Sequence, residues 1–269
     1  MGRFKGVLIA SDLDGTLLNS RKEIDVPTRE AIAWFTEEGG LFTAATGRMF
    51  QSFHMLKDIV PYNAPVVFAN GAQIYDYRTE TILWQCDLPE SFSKAAQALL
   101  DAFPEAALEI YTHDTCHIVQ PNDITMEHMR AFQIPHTFCQ KTAEVPGTWL
   151  KALLTAPPEN LQKAAEMAKK LDSGAAFRFS TPYFLEMFNE KTDKGRGVLR
   201  LAEMCGVKSA HVYTAGDQEN DLDMLHAAAV SFAPQNAAPA VLETADVILP
   251  DCDNNTIQAL IEYLEKRYN

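Results

Sequence analysis

The sequence predicts an α/β core interrupted by a separate α+β domain, and three observations carry that expectation. Apolar strands alternate with helical patterns at both ends of the chain, the signature of a parallel sheet built from β-α-β units. In the middle, strands follow one another directly, which points to hairpins and a mostly antiparallel sheet. The first apolar strand runs straight into a carboxylate-rich turn, Asp12-Leu13-Asp14-Gly15-Thr16, where open parallel sheets gather their ligands.

Val7-Leu8-Ile9-Ala10 reads as a buried strand, and Pro27 to Glu38 as a helix with Ala31, Ile32 and Phe35 at helical spacing. Leu41 to Ala45 is the next strand and Pro65 to Ala69 a third. From Asn70 to Leu83, Asn-Gly is followed by the short alternation Gln73-Ile74-Tyr75-Asp76-Tyr77, which predicts a hairpin leaving the sheet. The middle contains helices at Pro89 to Ala102, Ile124 to Phe132 and Pro158 to Leu171. Its strands are Leu108 to Tyr111, Thr115 to Val119, Trp149 to Thr155, Ala176 to Ser180 and Phe184 to Phe188. From Asp193 the alternation resumes with a helix to Cys205, a strand His211 to Ala215 and a helix near Asn220 to Ala228. Strands at Ala229 to Ala233 and Asp246 to Leu249 precede a last helix, Thr256 to Lys266, with Ile257, Leu260, Ile261 and Leu264 on one face. Residues 1–83 and 189–269 are therefore expected to form one core, with 84–188 inserted into it.

With 269 residues, 47% of them hydrophobic, the chain can bury one sizeable core and a smaller second one, and disorder and collagen are excluded. Asp and Glu total 36 against 23 Lys and Arg, a net charge of −13. The basic surface of a nucleic-acid or anionic-membrane binder is missing, so an anionic substrate must be held by a local device. The five cysteines form no C-x-x-C pair and fit a reducing cytosol. The first apolar stretch is too short for a secretory signal, and Gly6 stands where myristoylation needs Ser or Thr. No apolar run approaches the roughly 20 residues that span a bilayer. The expectation is a soluble, cytoplasmic protein without nucleic-acid or membrane partners, its oligomeric state open.

Asp-x-Asp-Gly also occurs in calcium loops, but with Gly15 at the glycine position Ala10 would be the first ligand and Arg21 the final acid, and that reading fails. A second acidic cluster, Gly216-Asp217-Gln218-Glu219-Asn220-Asp221, follows the strand ending at Ala215. Alone it could be an acidic helix start. Paired with Asp12 and Asp14 it makes an oxygen-rich site suited to Mg²⁺, which takes few carboxylates together with waters and substrate phosphate. The lack of His or Cys nearby argues against zinc. Thr46-Gly47-Arg48 closes the second strand and is expected to open a helix whose N-terminus, with the Thr46 hydroxyl, can hold a phosphate. Lys194 is a cation at a helix start, where the dipole disfavours one, and such local conflicts often mark function.

Asp12-x-Asp14-Gly15-Thr16, Thr46-Gly47-Arg48, Asn70-Gly71-Ala72, Lys194-Gly195 and Gly216-Asp217-x-x-Asn220-Asp221 together resemble the haloacid dehalogenase superfamily. The long insertion is similar to that of its Cof-type branch with a type IIB cap. The resemblance covers essentially the whole chain. It implies a doubly wound, mostly parallel Rossmann-like core, a mobile α+β cap, and Mg²⁺-dependent hydrolysis of phosphate monoesters such as sugar phosphates. Gln218 is a small departure, since relatives often carry Asn there, and no effect on the chemistry is expected.

On this reading Asp12 attacks phosphorus to form an aspartyl-phosphate. Asp14 protonates the leaving alkoxide and then deprotonates water, which requires a proton on it at the first step. Thr16 supports the turn. The Asp12 carboxylate, the Asp14 main-chain carbonyl and Asp217 are the expected metal ligands, with Asp221 reaching the metal through water or holding Lys194. By resemblance, the Leu13 N–H, Thr46, Gly47, Lys194 and Asn220 grip the phosphoryl oxygens. The cap is expected to close over the ester and choose the leaving group, which leaves substrate contact open to His113, His117, His128, His136, Arg178 and Glu186; they, and likewise Met126 and Met129, are read first as ordinary residues because no spacing singles them out. Competing functions are a phosphomutase or phosphotransferase of sugar phosphates, a receiver-like phospho-aspartate module, and a phosphometabolite-sensing binding module.

Overall fold

A computed structural model of the chain describes residues 2–53, 55–171 and 173–269. The chain opens with β1 (Leu8–Ser11), α1 (Val26–Glu37), β2 (Leu41–Ala44), the single turn α2 (Phe50–Phe53), β3 (Val66–Phe68), β4 (Gln73–Asp76) and β5 (Thr81–Gln85). There follow α3 (Phe92–Ala102), β6 (Ala107–Tyr111), β7 (Cys116–Val119), α4 (Asp123–Ala131), β8 (His136–Cys139), β9 (Lys151–Thr155), α5 (Pro158–Ala168), β10 (Ala175–Thr181) and β11 (Phe184–Asn189). It closes with α6 (Lys194–Met204), β12 (Val212–Ala215), α7 (Leu222–Ala227), β13 (Val230–Pro234), α8 (Pro239–Thr244), β14 (Val247–Leu249) and α9 (Thr256–Arg267). These elements divide into two units, one of residues 2–48, 55–84 and 193–269, the other of Met49–Phe53 and Gln85–Thr192.

The first unit is built on a parallel sheet of order β14-β13-β12-β1-β2. Every residue of β1 and β12 is buried, as strands covered on both faces require, which explains their continuous apolar sequence. From β1 the chain steps to β2 on one side, whereas β12, β13 and β14 spread in order on the other. The order reverses between β1 and β12, and a crevice opens beyond the carboxyl ends of these two strands. Asp12 and Asp217 stand at those ends.

β3 differs from the expectation of a third strand in the main sheet. It touches the end of β2 through one parallel bridge, Ala45 to Val67, and otherwise belongs to a small sheet of order β3-β4-β5. The reversal into β4 passes through Asn70, whose φ of 52° is left-handed, a conformation Asn tolerates better than most residues. The helix expected to open at Thr46-Gly47-Arg48 is also corrected. Helical structure begins only at Phe50 and lasts four residues, so the segment behaves as a loop, with the Arg48 N–H folded back onto the Thr46 hydroxyl oxygen at 3.1 Å. By contrast, α6 begins at Lys194, where Asp193 caps it by accepting from the Arg196 N–H at 2.7 Å.

The second unit carries a sheet of order β10-β11-β9-β6-β7-β8, antiparallel except for the parallel pair β7 and β8. Alternate residues of a strand share a face. Leu108, Ile110, Ala152, Leu154, Leu185 and Met187 accordingly form one apolar surface, clustered with Phe92, Leu99 and Leu161 of α3 and α5. β8 and α8 carry weak sequence signals of their own, β8 being an edge strand with Thr137 and Phe138 exposed and α8 only six residues long. Among the described residues, no helix is long and apolar enough to cross a membrane.

Candidate active site

The crevice between β1 and β12 brings together residues far apart in sequence. Asp12 follows β1, and its N–H donates to the Ala215 carbonyl of β12 at 2.8 Å, so the two strand ends are tied at the point where the carboxylates begin. The Lys194 Nζ donates to Asp12 Oδ1 at 2.6 Å and to Asp221 Oδ1 at 2.5 Å, and all three side chains are buried. Asp221 turns its other oxygen back on its own loop, where Oδ2 accepts the N–H groups of Asp217 and Gln218, both at 3.0 Å. Asp217 is fixed from across the crevice by the Thr16 hydroxyl, which donates to Oδ1 at 2.8 Å.

Two glycines make this closeness possible. Gly15 has a φ of +92°, and a Cβ there would meet Asp217 Oδ2 at 2.7 Å. A Cβ on Gly216 would collide with the Asp221 side chain. Both motif glycines are thus places where a carboxylate needs the room.

The phosphate-loop candidates lie beside this cluster because β1 and β2 are neighbours, with the Ala45 N–H donating to the Ser11 carbonyl at 2.8 Å. Asn70 joins the pieces. Its N–H donates to the Thr46 carbonyl at 3.1 Å, its Oδ1 accepts from Asn220 Nδ2 at 3.1 Å, and Gly47 leaves room for that side chain. Asn236 bridges another pair of loops, donating to the Gly15 carbonyl at 2.9 Å and accepting from the Cys252 N–H at 2.8 Å. Nothing in the local sequence around Asn236 marks it.

A family model of haloacid dehalogenase-like hydrolases matches residues 9–261. The chain belongs to this family. It is 29% identical to YxeH of Bacillus subtilis over 249 residues, covering 89% of this chain and 91% of the relative. It is 26% identical over 270 residues to the pyridoxal phosphate phosphatase YbhA of Escherichia coli, covering 96% and 97%. The crystal structure of a haloacid dehalogenase-like hydrolase from Bacteroides thetaiotaomicron superposes with a TM-score of 0.83 at 24% identity, covering 97% of this chain and 99% of that one. The doubly wound α/β core is therefore the fold of this hydrolase.

The electrostatics of the hydrolase are set by an excess of buried acid. Among the described residues, ligand oxygens of Asp12, Asp217 and Asp221 lie within 4.8 Å of one another, against one ammonium, that of Lys194. Burial pushes the Asp12 carboxyl up to about 8; Lys194 opposes the shift, and Asp221 and Asp217 add to it. Burial also raises Asp217, and the Thr16 and Gln218 hydrogen bonds restrain that rise. Burial alone would lower Lys194, but its two carboxylate partners outweigh it and hold the ammonium charged. Three crowded, buried carboxylates with only oxygen donors are the donor set of a hard divalent cation, so the residues fit Mg²⁺.

Asp14 departs from expectation. Its carboxylate is turned to two cations, accepting from Arg48 Nε and Nη2 at 2.8 and 2.9 Å and from Lys22 Nζ at 2.9 Å. Burial works to raise this carboxyl, but Arg48 and Lys22 together prevail and hold it below its ordinary value. The proton expected on Asp14 is therefore disfavoured in this arrangement, and the Asp14 side chain stands apart from the three-acid cluster. In the second unit, His128 Nδ1 lies 3.0 Å from both oxygens of buried Glu109, and Lys151 pairs with Glu186 at 2.8 Å.

Proposed function

We propose that this hydrolase cleaves small-molecule phosphate monoesters, sugar phosphates and related phosphometabolites among them, through an aspartyl-phosphate on Asp12. The observation that carries the reading is the Asp12 carboxylate, buried at a strand end and held by Lys194 at 2.6 Å inside a three-acid cluster. The similarity to a pyridoxal phosphate phosphatase supports a small phosphate ester as substrate. The inserted stretch 84–188 is proposed as the cap domain.

In the first step an Asp12 oxygen attacks phosphorus, the ester P–O bond breaks, and the leaving alkoxide takes a proton from Asp14. In the second, water gives a proton to Asp14 and attacks phosphorus, and the bond to Asp12 breaks to release inorganic phosphate. The ion-paired Asp14 carboxylate is the base form that the second step uses; to serve as acid it must exchange Arg48 and Lys22 for a proton. Lys194, the Thr46 hydroxyl, the Leu13 and Gly47 N–H groups and Asn220 are proposed to hold the phosphoryl oxygens. Asp12, Asp217 and the Asp14 carbonyl would hold Mg²⁺, with Asp221 beside them. The cation supplies charge neutralisation where two anions must meet.

The test is phosphate release from a panel of phosphate esters, with Mg²⁺ or with chelator, in the parent and in Asp12→Asn. Mg²⁺-dependent release that the variant loses is the expected result. Release that persists in Asp12→Asn refutes the nucleophile assignment, and a product isomer without free phosphate identifies a mutase.

A further inference from the structure

We infer that Gln218 is a positioning residue of the cation site, fixing the second oxygen of Asp217 so that the carboxylate presents one orientation to the metal. The inference rests on the proposed reading of Asp217 as a metal ligand. Its basis is the hydrogen bonding of Asp217, in which Thr16 donates to Oδ1 at 2.8 Å and Gln218 Nε2 donates to Oδ2 at 3.0 Å. With a donor on each oxygen, the carboxylate plane is set before any cation arrives. Gln218 is in turn anchored from the other side, since its N–H donates to Asp221 Oδ2 at 3.0 Å, as does that of Asp217. One residue thus links two members of the three-acid cluster, its backbone held by Asp221 and its side chain holding Asp217.

The residue type matters as much as the geometry. A Lys or Arg at this position would also orient Asp217, but its charge would compete with a divalent cation for the same oxygens. A neutral amide orients the carboxylate and leaves the negative charge of the cluster available. Partners that hydrogen-bond a ligating side chain typically alter metal affinity by about 10- to 100-fold when removed. Gln218 lies at the exposed start of the turn Glu219–Asp221, so removing its side chain opens no core.

The test is Mg²⁺ titration calorimetry on the full chain without substrate, comparing the parent with Gln218→Met, which keeps the side-chain length but lacks the donor, and with Gln218→Ala. Both variants are expected to bind Mg²⁺ about tenfold more weakly. The half-saturating Mg²⁺ concentration for turnover is expected to rise in parallel, while the KM for the ester at saturating Mg²⁺ does not. The metal-free variants lose the Gln218 cap on the Glu219–Asp221 turn and are expected to melt slightly below the parent, by no more than a lost cap allows. Mg²⁺ affinity in both variants within twofold of the parent overturns the inference, and a lowered melting point with unchanged affinity overturns it in favour of a role in the turn alone. A parent chain that binds no Mg²⁺ overturns the underlying reading of the site, an outcome visible before any variant is compared.

Discussion

Each of the two units buries charge, and they do so differently. In the second unit the buried acids have matching partners, Glu186 with Lys151 at 2.8 Å and Glu109 with the Tyr111 hydroxyl at 2.7 Å and His128 at 3.0 Å. In the first, Asp12, Asp217 and Asp221 crowd around the Lys194 ammonium, which pairs with two of them and is the one ammonium there among the described residues. A matched buried pair is consistent with a structural role and roughly balances its own desolvation. An unmatched surplus of carboxylate is stable only when something positive comes to it, which makes the surplus, rather than burial itself, the mark of a site.

The most severe way to break this contrast is Asp12→Asn, expected to lower turnover by about 10⁴-fold or more while circular dichroism stays unchanged. Next, Lys194→Met takes the ammonium from buried Asp12 and Asp221, at about 3–5 kcal/mol in urea unfolding, and Lys151→Met removes one cation beside Glu186. The two should separate when metal is added: Mg²⁺ should narrow the gap between Lys194→Met and the parent in the same buffer, and leave the gap between Lys151→Met and the parent unchanged. Equal responses would dissolve the distinction between the units.

A smaller effect concerns pH. The Asp12 carboxyl rises from 3.8 to about 8 on folding, so the folded state binds that proton more tightly than the unfolded chain. Its contribution to stability is complete below about pH 4 and disappears as pH climbs through about 8. The melting-point gain on adding Mg²⁺ should accordingly be larger at pH 8 than at pH 5, and a gain independent of pH would contradict the surplus of acid. The smallest expected change is that of Lys22→Ala. Lys22 pairs with Asp14 from an exposed position, and its loss should alter stability by less than about 1 kcal/mol in thermal unfolding.

Those parts of the site that depend on chain-local rules were legible in the sequence. A buried strand followed by Asp-x-Asp-Gly placed Asp12 at a sheet end, and a lysine at the first turn of α6 was visible as a conflict with the helix dipole. The clamp on Asp14 was not legible, because Arg48 reaches it from 34 residues away and Lys22 from a turn with no motif of its own. The helix expected to open at Thr46-Gly47-Arg48 is displaced to Phe50 because the segment closes locally on the Thr46 hydroxyl, a bond that no chain-local rule announces. Asn236 escapes sequence reasoning for a related reason, and Asn70, legible as part of the Asn70-Gly71-Ala72 motif, takes up its contact with Asn220 only when loops from different strands meet.

Asp12 and Lys194 are 182 residues apart, and Thr16 and Asp217 are 201 apart. On a ribosome moving at about 5–20 residues per second, roughly 10–40 s pass between the appearance of the first carboxylate and the arrival of its lysine. During that interval β1 exists without β12, its pairing edge open and Asp12 without its lysine. A chaperone that shields a strand edge, or early folding of the intervening residues, therefore has a window in which to act. Slowing translation between residues 12 and 194 should lengthen this half-built state without altering the finished protein.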